Sequence, residues 1–230
     1  LPLLDEARSI LLDDHLRYGH VIVDEAQDLT PMQLRMIARR VAGSFTMLGD
    51  VAQATGAIPY RSWHEVLVQL PRGDVAEVEE LRHSYRVPRE IIALALPLLE
   101  HIAPATQPPV AYRAGADAPR IVLADSPLGA AYAEAAALAE AEGLLAIIAP
   151  PSLRGDADPA LFDDTRVSVL TPRESKGMEF DHVVVVEPAA IVEEAASGQG
   201  LRELYVALTR PTTSLTVVHA RPLPTELRRL

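Results

Sequence analysis

The sequence predicts an α/β fold in which parallel sheets are flanked by helices. Three observations carry this. Short apolar runs recur along the 230 residues. They are continuously apolar rather than alternating, as expected of strands buried on both faces of a parallel sheet. Helical patterns fall between them, which is the signature of α/β architecture.

Taken in order, the first run is His20–Val23, which ends abruptly in Asp24 and Glu25. Thr30-Pro31-Met32-Gln33 follows as a capping box with proline at the first helical position. Phe45–Leu48 reads as the second strand, and Ser62-Trp63-His64-Glu65 as a second capping box. Val78–Leu81 is expected to be a strand, and the proline-rich stretch Pro104–Pro109 a connection. Ile121–Leu123 is a strand, Gly129–Glu142 an alanine-rich helix closed by Gly143, and Leu144–Ile148 a strand. Arg154–Asp164 is polar and reads as a surface loop. Val167–Leu170 is a strand, Thr171-Pro172-Arg173-Glu174 a third capping box, and His182–Val186 a strand. A helix over Leu201–Arg210 and the strand Leu215–Val218 complete the pattern. No internal repeat is found. The segment Pro71–Ala76 separates two α/β blocks, giving expected domains 1–75 and 76–230. The first holds two clear strands, too few for a whole nucleotide-binding domain.

Composition narrows the class. Hydrophobic residues make up 49% and aromatics only 4%, so the core is aliphatic. No apolar run is long enough to span a bilayer, and no basic-then-apolar segment opens the chain. With no cysteine there is neither a disulfide framework nor a thiolate metal site, and the seven histidines show no metal-ligand spacing. The chain therefore reads as cytoplasmic, with no membrane partner. The net charge of −11 argues against a strongly basic nucleic-acid wrapper. Both blocks share it: residues 1–80 hold 7 arginines against 13 acids, and the remainder 13 arginines and one lysine, Lys176, against 19 acids. Any nucleic-acid contact must use a local patch.

Asp24 and Glu25 raise the functional question. In α/β folds ligands bind outside the carboxyl ends of the strands. An Asp there can hold Mg²⁺, and a neighbouring Glu can orient or deprotonate a water attacking a γ-phosphate. The structural alternative is a solvated strand end whose acids favour the N-terminus of the next helix.

Other tracts bear on the choice: Leu48-Gly49-Asp50-Val51-Ala52-Gln53, Ser84-Tyr85-Arg86, Glu174-Ser175-Lys176-Gly177-Met178-Glu179-Phe180 and Leu204–Arg210. With Val21–Asp28, and in this order, they resemble motifs III, IV, V, VI and II of the UvrD/Rep-type superfamily 1 helicases. The likeness runs from about Tyr18 to Val218. Within that group the tracts around Asp24 and Asp50 are similar to the HelD-type branch, whose members act on RNA polymerase. The resemblance implies one partial RecA-like domain followed by a complete second one, with ATP in the cleft between them.

It also implies roles. Asp24 would hold Mg²⁺, Glu25 would be the catalytic base, and Gln53 would sense the γ-phosphate and water. Arg86 and Arg210 would act as arginine fingers. Tyr85 would stack on adenine, Glu179 would bind the ribose hydroxyl, and Gly177 would belong to the same nucleotide-binding tract. Thr171 and Arg173 lie where motif V meets the nucleic-acid backbone. Tyr60 or Trp63 would stack a base, although Trp63 sits inside a capping box and reads equally as a core residue.

Two features depart from the family. No G-x-x-x-x-G-K-[ST] is present, and the single lysine lies in Glu-Ser-Lys-Gly. The resemblance therefore implies the C-terminal motor portion of a longer protein, whose missing N-terminal part would complete the ATP and Mg²⁺ site. Alone, the chain would not turn over ATP. The tract after Gln53 is also poor in aromatics, which weakens the expectation for single-stranded DNA and leaves an alternative: a non-catalytic interaction module that binds and remodels RNA polymerase.

Overall fold

The computed structural model describes residues 1–12, 16–71, 73–114, 117–138, 142–154, 166–196 and 198–228. The chain divides into two compact units, Leu1–Glu80 and Leu81–Leu230.

In the first unit, α1 (Pro2–Leu12) precedes β1 (Tyr18–Val23), α2 (Pro31–Ala38), β2 (Val41–Met47) and α3 (Trp63–Leu67). The two strands pair in parallel, with Val21 opposite Phe45 and Val23 opposite Met47. The capping box of α2 forms as the sequence requires: Thr30 accepts from the Gln33 N–H, and the Gln33 side chain accepts from the Thr30 N–H. The box at α3 is only half made. Ser62 caps the Glu65 N–H, but the Glu65 carboxylate turns to the Arg61 N–H instead. Leu34, Tyr60, Val66 and Leu70 form the core, with Phe45, Met47 and Trp63 against it.

The strands of this unit depart from expectation. They were read as buried on both faces, yet β1 is exposed along most of its length, Ile22 at 66%. With two strands and one packed face, apolar side chains on the other face have nothing to cover them among the described residues.

Helix α1 is amphipathic in an inverted sense. Its buried residue is an acid, Asp5, while Leu3, Leu4, Ile10, Leu11 and Leu12 are exposed. Ion pairs hold it to α2: Asp5 to Arg39 and Arg40, and Glu6 to Arg35 and Arg39. Hydrogen bonds from Arg40 and Arg39 hold the Asp5 carboxyl well below its ordinary range, and a bond from Arg39 lowers Glu6. Groups with depressed folded-state pKa stabilise the fold above their unfolded values and lose that contribution as pH falls through the folded ones. The docking of α1 is therefore expected to hold at neutral pH and to fail progressively as the pH falls below about 4, the ordinary Asp range. Hydrogen exchange of the α1 amides at pH 6 and pH 3 checks this; equal protection at both would exclude the ion pairs as the docking contact.

The second unit contains a small parallel pair, β3 (His83–Ser84) with β4 (Val110–Ala111), and helix α4 (Arg89–Ile102) between them. A five-stranded, all-parallel sheet follows, built from β5 (Arg120–Leu123), β6 (Leu145–Ile148), β7 (Val167–Leu170), β8 (Phe180–Val186) and β9 (Pro211–His219) in the order β5-β9-β8-β6-β7. Helices α5 (Pro127–Leu138), α6 (Pro151–Arg154), α7 (Pro188–Glu194) and α8 (Gly200–Leu208) connect and cover it. The central strand β6 is fully buried and β8 is buried except at Asp181, as the apolar runs Leu145–Ile148 and Val183–Val186 predict. Ile147, Val184, Val186 and Val218 pack with Ala131 and Ala135 of α5. Alternation along a strand sends Ile148, Val183 and Val185 to the other face, where they are equally buried. Helix α8 is buried over nearly its whole length and packs on α4 and α7.

Seven of the eight expected strands are the observed ones within a few residues; Val78–Leu81 is not a strand. Those residues have no ladder partner, Leu81 is 94% exposed, and the nearest pairing begins at His83. An apolar run is not a strand unless a neighbour takes its backbone bonds. The third capping box makes its bonds, Thr171 and Glu174 capping one another, but residues 172–177 form turns rather than a regular helix. The expected loop Arg154–Asp164 lies outside the described residues beyond Arg154, as do residues 139–141 of the alanine-rich helix and His15.

Candidate nucleotide site

In the first unit the candidate residues collect at the carboxyl ends of β1 and β2. Asp24 and Glu25 follow β1 directly and are exposed. The Asp24 carboxylate accepts the Glu25 N–H at 2.8 Å. Glu25 has φ +52°, a left-handed conformation that side chains seldom adopt. The turn is held by Gln27, which is fully buried. Its Nε2 donates to Glu25 Oε2 at 2.6 Å, and its Oε1 accepts the Asp50 N–H at 3.2 Å. Asp50 in turn caps the Ala52 N–H and accepts from Gln53 Nε2 at 2.9 Å. A single chain of hydrogen bonds thus runs Glu25–Gln27–Asp50–Gln53, joining the two strand ends.

Asp28 makes the second tie, accepting the N–H groups of Thr55 and Gly56 at 3.0 Å each. Gly49 leaves room for the first: a Cβ there would lie 2.0 Å from Gln27 Oε1. Gln27 and Asp50 are the residues that sequence reasoning passed over. The signal was a glutamine two residues after an exposed acid, in an otherwise apolar strand-turn context.

Among the described residues other than glycine, only Glu187 shares the left-handed conformation with Glu25, at φ +49°. It also follows a strand, β8. There the carboxylate is buried and accepts the N–H groups of Ala220 and Arg221, tying β8 to the end of β9. Glu25 uses the same backbone geometry but keeps its carboxylate at the surface, held by one buried amide.

In the second unit the candidates are split: Tyr85 and Arg86 follow β3 and Thr171 follows β7, whereas others lie at the amino ends of strands. Glu179 immediately precedes β8 and Arg210 immediately precedes β9, and the Phe180 N–H bonds to the Arg210 carbonyl at 3.3 Å. Arg86 forms an ion pair with Glu179, each about half exposed. Arg210 is 2% exposed. Its Nε donates to the Val206 carbonyl at 3.0 Å and its Nη1 to the Met178 carbonyl at 3.2 Å, so it closes the end of α8 and grips the turn before β8. Gly177 has φ +76° and open space around it. Tyr85 is 65% exposed.

The candidates for nucleic-acid contact are dispersed. Thr171 follows β7, an edge strand of the sheet, with its hydroxyl engaged by Glu174. Arg173 pairs with the buried Glu203 at 2.6 Å and also donates to Gln199. Tyr60 is a core residue, 3% exposed, so the stacking role weighed for it does not fit its position. Packing against Leu34, Val66 and Leu70 leaves no ring face for a base, and burial raises its phenol above the ordinary value. Trp63 is partly buried against the same cluster. Among the described residues no group of His, Cys, Asp and Glu side chains has a metal-binding arrangement, and no helix is long and apolar enough to cross a membrane.

The structure is similar to that of arterivirus nonstructural protein 10, a helicase solved in complex with DNA. The TM-score is 0.50 at 19% identity, over 88% of this chain and 40% of the viral one. The likeness is one of fold. The chain thus spans well under half the length of that helicase. It is also similar to the C-terminal domain of a possible DNA helicase from Lactobacillus plantarum WCFS1, with 21% identity and a TM-score of 0.47, over 64% of this chain and 93% of that one. No protein-family model and no curated protein sequence matches the chain.

Proposed function

We propose that this chain is the C-terminal motor portion of an ATP-dependent, UvrD/Rep-type helicase-like protein. The observation that carries the reading is the bonded chain Glu25–Gln27–Asp50–Gln53 at the carboxyl ends of β1 and β2. It places an exposed acid pair, and a glutamine coupled to it, where α/β folds take their ligands. The arterivirus likeness supports the same fold assignment.

Asp24, an exposed carboxylate beside Glu25, is a hard oxygen donor suited to Mg²⁺, which would supply charge neutralisation on the phosphates. Glu25 would take the proton of the attacking water at its carboxylate. Gln27 fixes that carboxylate, and Gln53 would report the phosphate state to Asp50 through their shared bond. Arg86, Tyr85, Glu179 and Gly177 would meet the nucleotide, and Arg210 would complete the charge on the γ-phosphate. Thr171, Arg173 and Trp63 would contact single-stranded nucleic acid.

The alternative is a HelD-type module that binds RNA polymerase without catalysis. It is favoured by the net charge of −11 and by the burial of Tyr60. One pair of measurements on the chain itself tests both readings. No steady-state phosphate release is expected with Mg²⁺-ATP, because the sequence holds no phosphate-binding loop. Single-stranded DNA is expected to bind no tighter than roughly micromolar near physiological salt, since phosphate contacts supply most of such affinity and few are on offer. Robust turnover abolished by Glu25→Gln would overturn the first expectation. Nanomolar binding with a steep salt slope would overturn the second and remove the case for a protein partner.

A further inference from the structure

Tyr85 does not stand alone. Strands β3 and β4 pair His83 with Val110 and Ser84 with Ala111. The next pair in that register is Tyr85 with Tyr112, and the ladder continues there, the Tyr112 N–H bonding to the Ser84 carbonyl at 2.8 Å. In-register residues of adjacent strands point to one face, as do residues two apart on one strand. Tyr85, Tyr112 and His83 should therefore meet. They do: the tyrosine ring centroids are 5.1 Å apart and tilted by 39°, and the His83 and Tyr85 rings are 6.5 Å apart.

This cluster is not core. Tyr85 and Tyr112 are 65% and 70% exposed, in a chain with only six tyrosines, one tryptophan and three phenylalanines. Arg82, Arg86, Arg89 and Arg113, on the same chain segments, are also exposed, within an acidic protein. Arg113 donates to the Arg86 carbonyl at 3.1 Å, and the Arg89 N–H bonds to the Arg113 carbonyl at 3.0 Å, so the turn carrying Arg86 is tied to the segment carrying Tyr112. An exposed aromatic pair on segments that also carry exposed arginines fits a ligand with both a flat π-face and negative charge. Glu179, paired with Arg86, adds an acceptor for sugar hydroxyls at the same place.

We propose that Tyr112 is a positioning residue of an adenine-nucleotide site. Its ring backs Tyr85, so that Tyr85 presents one fixed, solvent-facing surface to the purine. A lone exposed tyrosine samples several rotamers and must be ordered by its ligand; a tyrosine already leaning on a second ring loses less on binding. The inference rests on the reading of Tyr85 as the base-stacking residue, and adds Tyr112, which lies outside every motif of the resemblance.

The test uses the 230-residue chain and saturation-transfer NMR to the adenine protons of ATP, with oligo(dT) as the competing probe. Tyr85→Ala is expected to weaken ATP binding by about tenfold, in line with alanine substitutions at base-stacking positions. Tyr112→Ala is expected to weaken it by about threefold, and Tyr112→Phe to restore it, because the ring and not the hydroxyl is used. The double variant Tyr85→Ala/Tyr112→Ala should be no weaker than Tyr85→Ala, since a support has no role once the ring it supports is gone. Wild-type affinity in Tyr112→Ala, or additive losses in the double variant, would overturn the role of Tyr112 while leaving Tyr85 as the base contact. Transfer to thymine protons in preference to adenine, or no transfer to adenine at all in the wild-type chain, would overturn both.

Discussion

Replacing Arg210 by Ala is expected to lower ATP turnover by about 10³-fold or more in a protein that joins this chain to a phosphate-binding loop, with a much smaller change in nucleotide affinity. The reason is that a cation aimed at the γ-phosphate acts mainly on charge that develops in the transition state. Structure adds a second expected effect. Arg210 is buried, and its donors satisfy the Val206 and Met178 carbonyls. The Val206 carbonyl keeps the Thr209 N–H and hydroxyl as donors, so Arg210→Ala should destabilise the isolated chain chiefly through lost packing at a buried site and the lost bond to the Met178 carbonyl. Arg210→Met separates the two contributions. It refills most of the volume without supplying donors, so it should recover part of the stability and none of the turnover. Turnover that tracks stability across Ala, Met and Lys variants would reduce Arg210 to a helix-end residue. Denaturant unfolding of the chain and single-turnover hydrolysis in the longer protein provide the two readouts.

Glu25→Gln is the second large effect. A positioned general base contributes about 10²–10⁴-fold, and loss of that order in turnover is expected with nucleotide binding retained. Here the structure predicts almost no cost in stability. Glu25 is exposed, and the bond it accepts from Gln27 Nε2 can be accepted equally by the carbonyl oxygen of a glutamine. A thermal midpoint close to that of the unaltered chain, with turnover lost, is the expected pair of results. Gln27→Leu should do the reverse in part: it removes the acceptor of the Asp50 N–H and the donor that holds the Glu25 carboxylate. A Glu25→Gln protein with undiminished turnover would exclude Glu25 as the base.

How far the sequence reached can be read residue by residue. The unbroken apolar runs Leu145–Ile148 and Val183–Val186 sufficed to predict fully buried parallel strands, because burial on both faces leaves no position for a polar side chain. Thr30-Pro31-Met32-Gln33 sufficed to start a helix, because every bond in a capping box is local. The same logic failed at Val78–Leu81, whose composition is strand-like but whose backbone finds no neighbour. It failed in part at Thr171–Glu174, where the cap forms and only turns follow it.

The candidate site divides in the same way. Asp24 and Glu25 were visible because acids directly after an apolar strand are conspicuous. Which residues hold them was not, since Gln27, Asp50 and Gln53 meet only when β1 and β2 pair in parallel. Tyr112 lies 27 positions from Tyr85 and becomes its neighbour through the register of two short strands. Tyr60 shows the opposite outcome, an aromatic in an inviting tract that packing took into the core. Sequence by itself determined the fold class, the order of elements and the acid pair at the end of the first strand, because periodicity, caps and strand ends are local properties. Only the tertiary structure decided which polar groups share hydrogen bonds and which aromatic faces meet solvent. Those depend on strand register and burial, which residues distant in sequence settle together.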